Sequence, residues 1–230
     1  MNIAIILSGG SGNRVGTELP KQFLEIGNKT IIEYSIEVFE NHQDIDEIII
    51  VSNPDYIQKT EDIIQNKYKK VLKIIEGGKT RQESSDIGVS SIEKNVKNVL
   101  IHDAARPFVS NELIDRLLNG LINNKAVVPA VQSSDTLIEK SDSNLVKSIP
   151  DRRVIQRVQT PQAFDYNIIK KAHKLAKTEK FSNATDDCSL ILRSKLTDVL
   201  VVDGSINNIK ITYSSDIIYA KELIKNGYKN

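Results

Sequence analysis

The sequence predicts an α/β fold: a mostly parallel sheet flanked by helices, with a β-hairpin arm projecting from it. Three observations predict this. Short runs of Ile and Val, nearly continuous in apolar residues, recur along the chain, as expected of strands covered on both faces. Longer stretches of helical period separate them, which argues for right-handed crossovers between parallel strands. Between about residues 132 and 159 the rhythm breaks into a polar interval.

Taken in order, strands are predicted at residues 3–7, 47–51, 71–75, 99–102 and 126–130, and helices at 31–40, 54–69, 81–92 and 111–119. Ser110 or Asn111 serves as N-cap of the last. The polar interval holds Ser133-Ser134-Asp135 and Ser141-Asp142-Ser143-Asn144 between alternating segments at 136–139 and 145–149, the pattern of a hairpin rather than a further βα unit. Helices at 166–178 and 185–193, a strand at 198–202 and a helix at 214–225 complete the chain. There is no repeat, low-complexity tract or linker, so residues 1–230 are expected to form one domain with an excursion, in a Rossmann-like arrangement.

Composition narrows the function. Thirty-one Lys and Arg oppose 30 Asp and Glu, so no global basic field exists for nucleic acid or anionic lipid. Any phosphate site must come from local clustering. The single cysteine, Cys188, excludes a disulfide framework and a multi-cysteine metal site; it reads as a small buried residue. No apolar run approaches a membrane span, and the start, Met1 to Leu7, lacks the basic flank of a signal peptide. A cytoplasmic protein without membrane or nucleic-acid partners is expected.

The first strand runs into Ser8-Gly9-Gly10-Ser11-Gly12-Asn13-Arg14, followed by Pro20-Lys21-Gln22. Glycines let backbone N–H groups approach an anion closely, and the carboxyl end of a strand in an open sheet is where ligands bind. Arg14 and Lys21 add two cations suited to a triphosphate. A dinucleotide fingerprint does not fit, because Val15 stands where its third glycine belongs and Gly16 comes one residue late; no acidic residue is placed for the ribose. A P-loop fails as well, since Lys73 occupies the position of the first glycine before Gly78-Lys79-Thr80.

At the end of another predicted strand stands His102-Asp103-Ala104-Ala105-Arg106-Pro107, which places Asp103 in the same crevice. One carboxylate together with phosphate oxygens suffices for Mg²⁺, so Asp103 is the candidate for holding that metal or substrate hydroxyls. His102 is expected to pack beneath the loop rather than act as a base. Near the C-terminus, Asn208-Ile209-Lys210 brings a further cation to this edge. Arg152 and Thr160 flank the arm and its return, and offer a planar fork and a hydroxyl for a phosphate.

The residues now resemble a known family, the cytidylyltransferases acting on 2-C-methyl-D-erythritol 4-phosphate and their relatives acting on D-ribitol 5-phosphate. The matching stretches are Ser8 to Arg14, Pro20 to Leu24, Gly77 to Arg81, His102 to Pro107, Asp135-Thr136, Gln159 to Phe164, Thr185-Asp186 and Asn208 to Lys210. Together they span nearly the whole chain in order.

The resemblance implies that Ser8, Gly9, Gly10 and Gly12 hold the CTP phosphates, with Arg14, Lys21 and Lys210 catalytic. Gly78 to Ser84 would contact the cytosine and ribose, Lys79 standing at a position often acidic in the erythritol enzymes. Asp103, Arg106, Thr136, Arg152, Thr160 and Thr185 would surround a polyol phosphate. Because Arg152 lies on an arm that reaches a partner subunit in the family, a homodimer is implied. Ser8-Gly9-Gly10 in place of Ala-Ala-Gly, the entry Ile149 to Arg152, and Thr185 to Cys188 favour ribitol 5-phosphate over the methylerythritol acceptor. The competing classes are a nicotinamide-dependent dehydrogenase, disfavoured by the misplaced glycine, and a non-catalytic nucleotide-binding module, disfavoured by the presence of Arg14, Lys21 and Lys210.

Overall fold

The computed structural model describes residues 1–10, 19–65 and 67–228. The strands are β1 (Asn2–Ser8), β2 (Glu25–Ile26), β3 (Lys29–Thr30), β4 (Glu47–Ser52), β5 (Val71–Glu76), β6 (Asn98–Asp103), β7 (Ala126–Gln132), β8 (Glu139–Lys140), β9 (Val146–Ser148), β10 (Gln156–Val158), β11 (Gln162–Asp165) and β12 (Leu200–Asp203). The helices are α1 (Ile31–Asn41), α2 (Ile57–Ile64), α3 (Arg81–Ser90), α4 (Asn111–Gly120), α5 (Tyr166–Thr178), α6 (Asp187–Ser194) and α7 (Ser214–Lys225).

Strand β1 lies inside an eight-stranded sheet, between β6 and β4. It pairs parallel with β4, Ile5 opposite Ile49, and with β6, Ile5 opposite Ile101; β5 extends the sheet parallel to β4. On the other side β11 lies antiparallel to both β6 and β7, while β10 pairs antiparallel and β12 parallel with β7. The period of two sorts the β1 side chains. Ala4 and Ile6 enter a core with Ile32, Ile36 and Phe39 of α1 and Leu113 and Leu117 of α4. Ile3 and Ile5 enter a second core with Val89 of α3, Ile169 of α5 and Leu190 of α6. Both faces are therefore covered, which is why these strands read as continuous apolar runs. Helix α3 approaches β1 so closely at Gly88 that a Cβ there would lie 2.8 Å from Ile5 Cγ2. A third, smaller core joins α7 to the β2–β3 ribbon through Ala220, Ile211, Phe108, Ile26 and Ile31.

Several elements differ from expectation, among them the unpredicted β2–β3 ribbon. The helix predicted at 54–69 is confined to Ile57–Ile64, after a 3₁₀ turn at Pro54–Tyr56. Downstream, the N–H groups of Lys69 and Lys70 donate to the Glu40 carboxylate at 2.7 and 3.0 Å, which draws the chain out of the helix and into β5. Strands β10 and β11 are too short to show a period, and the four residues of β11 are held by the neighbours they insert between. The projecting part of the arm is residues 133–155, with β8 pairing β9 and Leu145, Ile149 and Val154 exposed.

Candidate active site

A cleft of about 1040 Å³ opens at the carboxyl ends of β1, β4 and β6, which is ample for a nucleotide. One wall is the end of the first strand, Ser8, Gly9 and Gly10. Gln22, buried in the turn that follows the loop, ties it down by donating Nε2–H to Ser8 O at 2.9 Å and Gly10 O at 3.1 Å. Lys21 beside it donates to Ile211 O at 2.6 Å.

The opposite wall is the turn leading into α3. Ser84 Oγ accepts from the Gly78 N–H at 3.1 Å and donates to Thr80 O at 3.0 Å. Thr80 caps α3 by accepting from the Glu83 N–H, and Glu83 Oε2 accepts from the Lys79 N–H at 2.7 Å. No side chain larger than hydrogen fits at Gly78, where a Cβ would lie 2.4 Å from Glu83 Cβ. The wall is thus fixed before any ligand arrives.

Asp103, at the end of β6, forms the floor. Its Oδ1 accepts from Arg81 Nε at 3.0 Å and its Oδ2 from Lys210 Nζ at 2.6 Å. Burial alone would raise its pKa, but Arg81 and then Lys210 outweigh burial and hold the carboxyl well below the usual range. Beneath it, Thr160 Oγ1 accepts from the Asp103 N–H at 3.0 Å and lies 3.1 Å from His102 Nδ1. His102 Nε2 faces Arg106 O at 3.1 Å. A carbonyl only accepts, so Nε2 carries the proton and the Thr160 hydroxyl donates to Nδ1. Both ring nitrogens are therefore engaged, and His102 is no base.

Burial pushes the His102 pKa down to about 3, against the pull of Asp103. The unfolded imidazole takes a proton near pH 6.5; the folded one does not. Its contribution to stability is whole above pH 6.5 and is lost as pH falls toward 3. Between pH 7 and 5 the wild type should lose on the order of 2 kcal/mol more unfolding free energy than His102→Gln. Urea denaturation at both pH values checks this, and equal losses would mean that the folded ring titrates normally.

The cleft brings together Ser8, Gly9, Gly10, Lys21, Gly78, Ser84, Asp103 and Lys210. Gly12 and Arg14 lie outside the described residues. The remaining expected residues do not line it. Arg106 donates Nη1–H to Asn208 O at 2.8 Å, and the Thr160 hydroxyl is spent within the protein. Thr136 and Arg152 are exposed on the arm, and Thr185 is exposed just before α6. Sequence reasoning assigned no role to Gln22, Asn53 or Asp55, and reached Arg81 and Glu83 only as members of the Gly78 to Ser84 segment; all five line the cleft. Arg81 and Gln22 stand inside stretches that matched the family, the one signal that could have singled them out.

Asp103 does not fit the expected role of metal ligand, because both of its oxygens already accept from cations that would repel a divalent ion. The cluster His42, Asp44 and Asp115 lies away from the cleft. Its imidazole accepts from the Asp44 N–H at Nδ1 and faces Asp115 through Nε2, which leaves no free nitrogen for a metal.

The family described as IspD, 2-C-methyl-D-erythritol 4-phosphate cytidylyltransferase, matches residues 2–226. The enzyme of that name from Clostridium tetani is 42% identical over 232 residues, covering 100% of this chain and 93% of the relative. The one from Clostridium perfringens strain SM101 is 41% identical over 224 residues, 97% of this chain and 98% of its own. The crystal structure of 4-diphosphocytidyl-2C-methyl-D-erythritol synthase from Anaerococcus prevotii superposes with a TM-score of 0.87 at 33% identity, covering 97% of this chain and 96% of that one.

These names do not support the expected preference for ribitol 5-phosphate. Several of the residues behind that expectation have other places in the fold. Ser8 to Gly10 sit on the glycine wall, Asp187 is ion-paired with Arg81, and the Cys188 N–H is held by Gln162. With a matching family over nearly its full length and relatives above 40% identity, the chain belongs to the 2-C-methyl-D-erythritol 4-phosphate cytidylyltransferase family and is a nucleotidyltransferase that uses CTP.

Proposed function

We propose that the chain, acting in the cytoplasm as one domain, joins CMP from CTP to 2-C-methyl-D-erythritol 4-phosphate and releases pyrophosphate. The observation that carries this is the convergence of Lys21, Lys210 and Asp103 with the glycine wall at one sheet edge, in a chain whose relatives bear that activity's name. An oxygen of the acceptor phosphate attacks the α-phosphorus of CTP; the bond from that phosphorus to the bridging oxygen breaks, and pyrophosphate leaves with the electron pair. The nucleophile is already anionic, so no general base is needed, in keeping with the engaged nitrogens of His102. Rate comes from positioning and from cations placed where charge develops. Lys21, Lys210 and Arg14 supply these, while Gly78 and Ser84 face the base and ribose. When bound, Mg²⁺ screens the triphosphate.

Asp103, with Arg106 and Thr160 behind it, serves the acceptor side. Thr136 and Arg152 stand on an arm whose exposed Leu145, Ile149 and Val154 suit contact with a second copy, so the partner's arm completes the site in a homodimer. Pyrophosphate release with CTP, comparing the two acceptors, tests the reading. A kcat/KM for the methylerythritol phosphate at least about 10-fold above that for ribitol 5-phosphate is expected, since a methyl group and one carbon of length separate them. A preference for ribitol would overturn the acceptor assigned here.

A further inference from the structure

Arg81 is the first residue of α3 and Asp187 the first residue of α6. They are 106 positions apart, yet Arg81 Nη1 donates to Asp187 Oδ2 at 2.8 Å while its Nε donates to Asp103 Oδ1. Asp187 is fully buried. A carboxylate there is tolerable only if it is paired and hydrogen-bonded, and each requirement is met. Its other oxygen accepts from the Ser85 hydroxyl, His173 Nε2 lies 3.6 Å away, and the start of α6 favours negative charge. Burial would raise its pKa; Arg81 and then His173 more than reverse this. The segment that carries it is pinned on both sides. Gln82 bonds Phe181 O and the Ala184 N–H, and Gln162 bonds the Asp186 carboxylate and the Cys188 N–H.

We infer that Arg81 and Asp187 are positioning residues for the transfer step, a buried relay that fixes Asp103 and, through it, Lys210. Arg81 lines the cleft, but its Nε and Nη1 are spent on two carboxylates, and its third nitrogen, Nη2, is buried without a hydrogen-bond partner among the described residues. Its two bonded nitrogens thus serve Asp103 and Asp187. Charge explains why a cation is needed. Were Arg81 absent, Lys210 would be left to balance the Asp103 carboxylate it bonds and be drawn away from a phosphate; with Arg81 present, Asp103 is already half neutralised and holds Lys210 in place without sequestering it.

The inference rests on the cytidylyl-transfer reading of the cleft. Arg81→Lys keeps the charge but not the fork, and kcat should fall about 30-fold while KM for CTP moves less than about threefold, as expected for a misplaced group made useful only in the transition state. Asp187→Asn should show the same split, and the double variant should be no worse than Arg81→Lys by more than about twofold, because both act through Asp103. Unchanged kcat, a loss confined to KM, or additive losses would overturn the relay. Should either variant fail to fold, Ser85→Ala leaves every charge in place and should still lower kcat severalfold at constant KM; an unaltered kcat there counts against the relay. A crystal structure of Asp187→Asn, or of Ser85→Ala in its place, separates this inference from the choice of acceptor. A displaced Asp103–Lys210 pair supports the relay even if neither polyol phosphate is turned over, and an unmoved pair overturns it even if the acceptor is confirmed.

Discussion

Lys210→Ala should lower kcat about 10²–10³-fold, the usual cost of removing one preorganised group that meets developing charge. Lys210 is the cation best placed for such a role among the residues that close the floor: its ammonium is 2.6 Å from Asp103 Oδ2, its side chain is 39% exposed, and it lines the cleft. The fold should survive. Asp103 retains Arg81, and truncating a half-exposed lysine removes little buried apolar surface, so thermal unfolding should shift by only a few degrees. Pyrophosphate release and a melting curve on the same sample check both halves; near-normal turnover in a folded variant would remove Lys210 from the transfer step. The variant also tests the proposed sharing of the site. Arg152 does not line its own subunit's cleft, so mixing Lys210→Ala with Arg152→Ala subunits should restore activity that neither homodimer has. No recovery on mixing, with subunit exchange verified, would place Arg152 outside the partner's site.

How far the sequence revealed this arrangement depends on the range over which each feature is determined. Strands β1 and β4 are legible because both faces of the sheet are covered, so nearly every residue of Ile3–Leu7 and Ile48–Val51 is buried and the run needs no partner to be recognised. Helices α1 and α3 carry their own start signals, Glu33 accepting from the Thr30 N–H and Thr80 from the Glu83 N–H. Strand β11 has no such local mark. Four residues become a strand only because β6 and β7 leave a gap of that width. The site divides in the same way. Ser8 to Gly10 and Asp103 follow from lying at strand ends, which an order of elements suffices to locate. Arg81 stands beside the glycine turn in plain view, but its work is set by Asp103 and Asp187, 22 and 106 residues downstream, a pairing that no spacing rule supplies. The metal role drawn for Asp103 meets the same difficulty: a carboxylate at a strand end reads as a ligand until the cations bonded to it are known.

Asp103→Asn should be the most destabilising of the conservative changes at the cleft, by about 3–5 kcal/mol, the cost of breaking a buried pair and leaving its partner uncompensated. The amide keeps the shape of the side chain, so packing is preserved and the loss is electrostatic. Two cations bond the carboxylate directly, and Arg106 also acts on it from behind; an amide would turn its own N–H toward one of them. Because this site is largely buried, salt should change the difference little. The sign of its pH dependence is fixed by the lowered Asp103 pKa. Folded and unfolded carboxyls are both ionised above about pH 5, and the unfolded one takes a proton near pH 3.9, so the stabilisation is whole above that range and fades as pH falls below it. Unfolding free energies of wild type and variant should therefore differ by a constant amount from pH 8 to about 5 and converge at lower pH. A difference that instead grew on acidification would mean that Asp103 is protonated more readily in the fold than out of it, and that Arg81 and Lys210 do not hold it as a carboxylate.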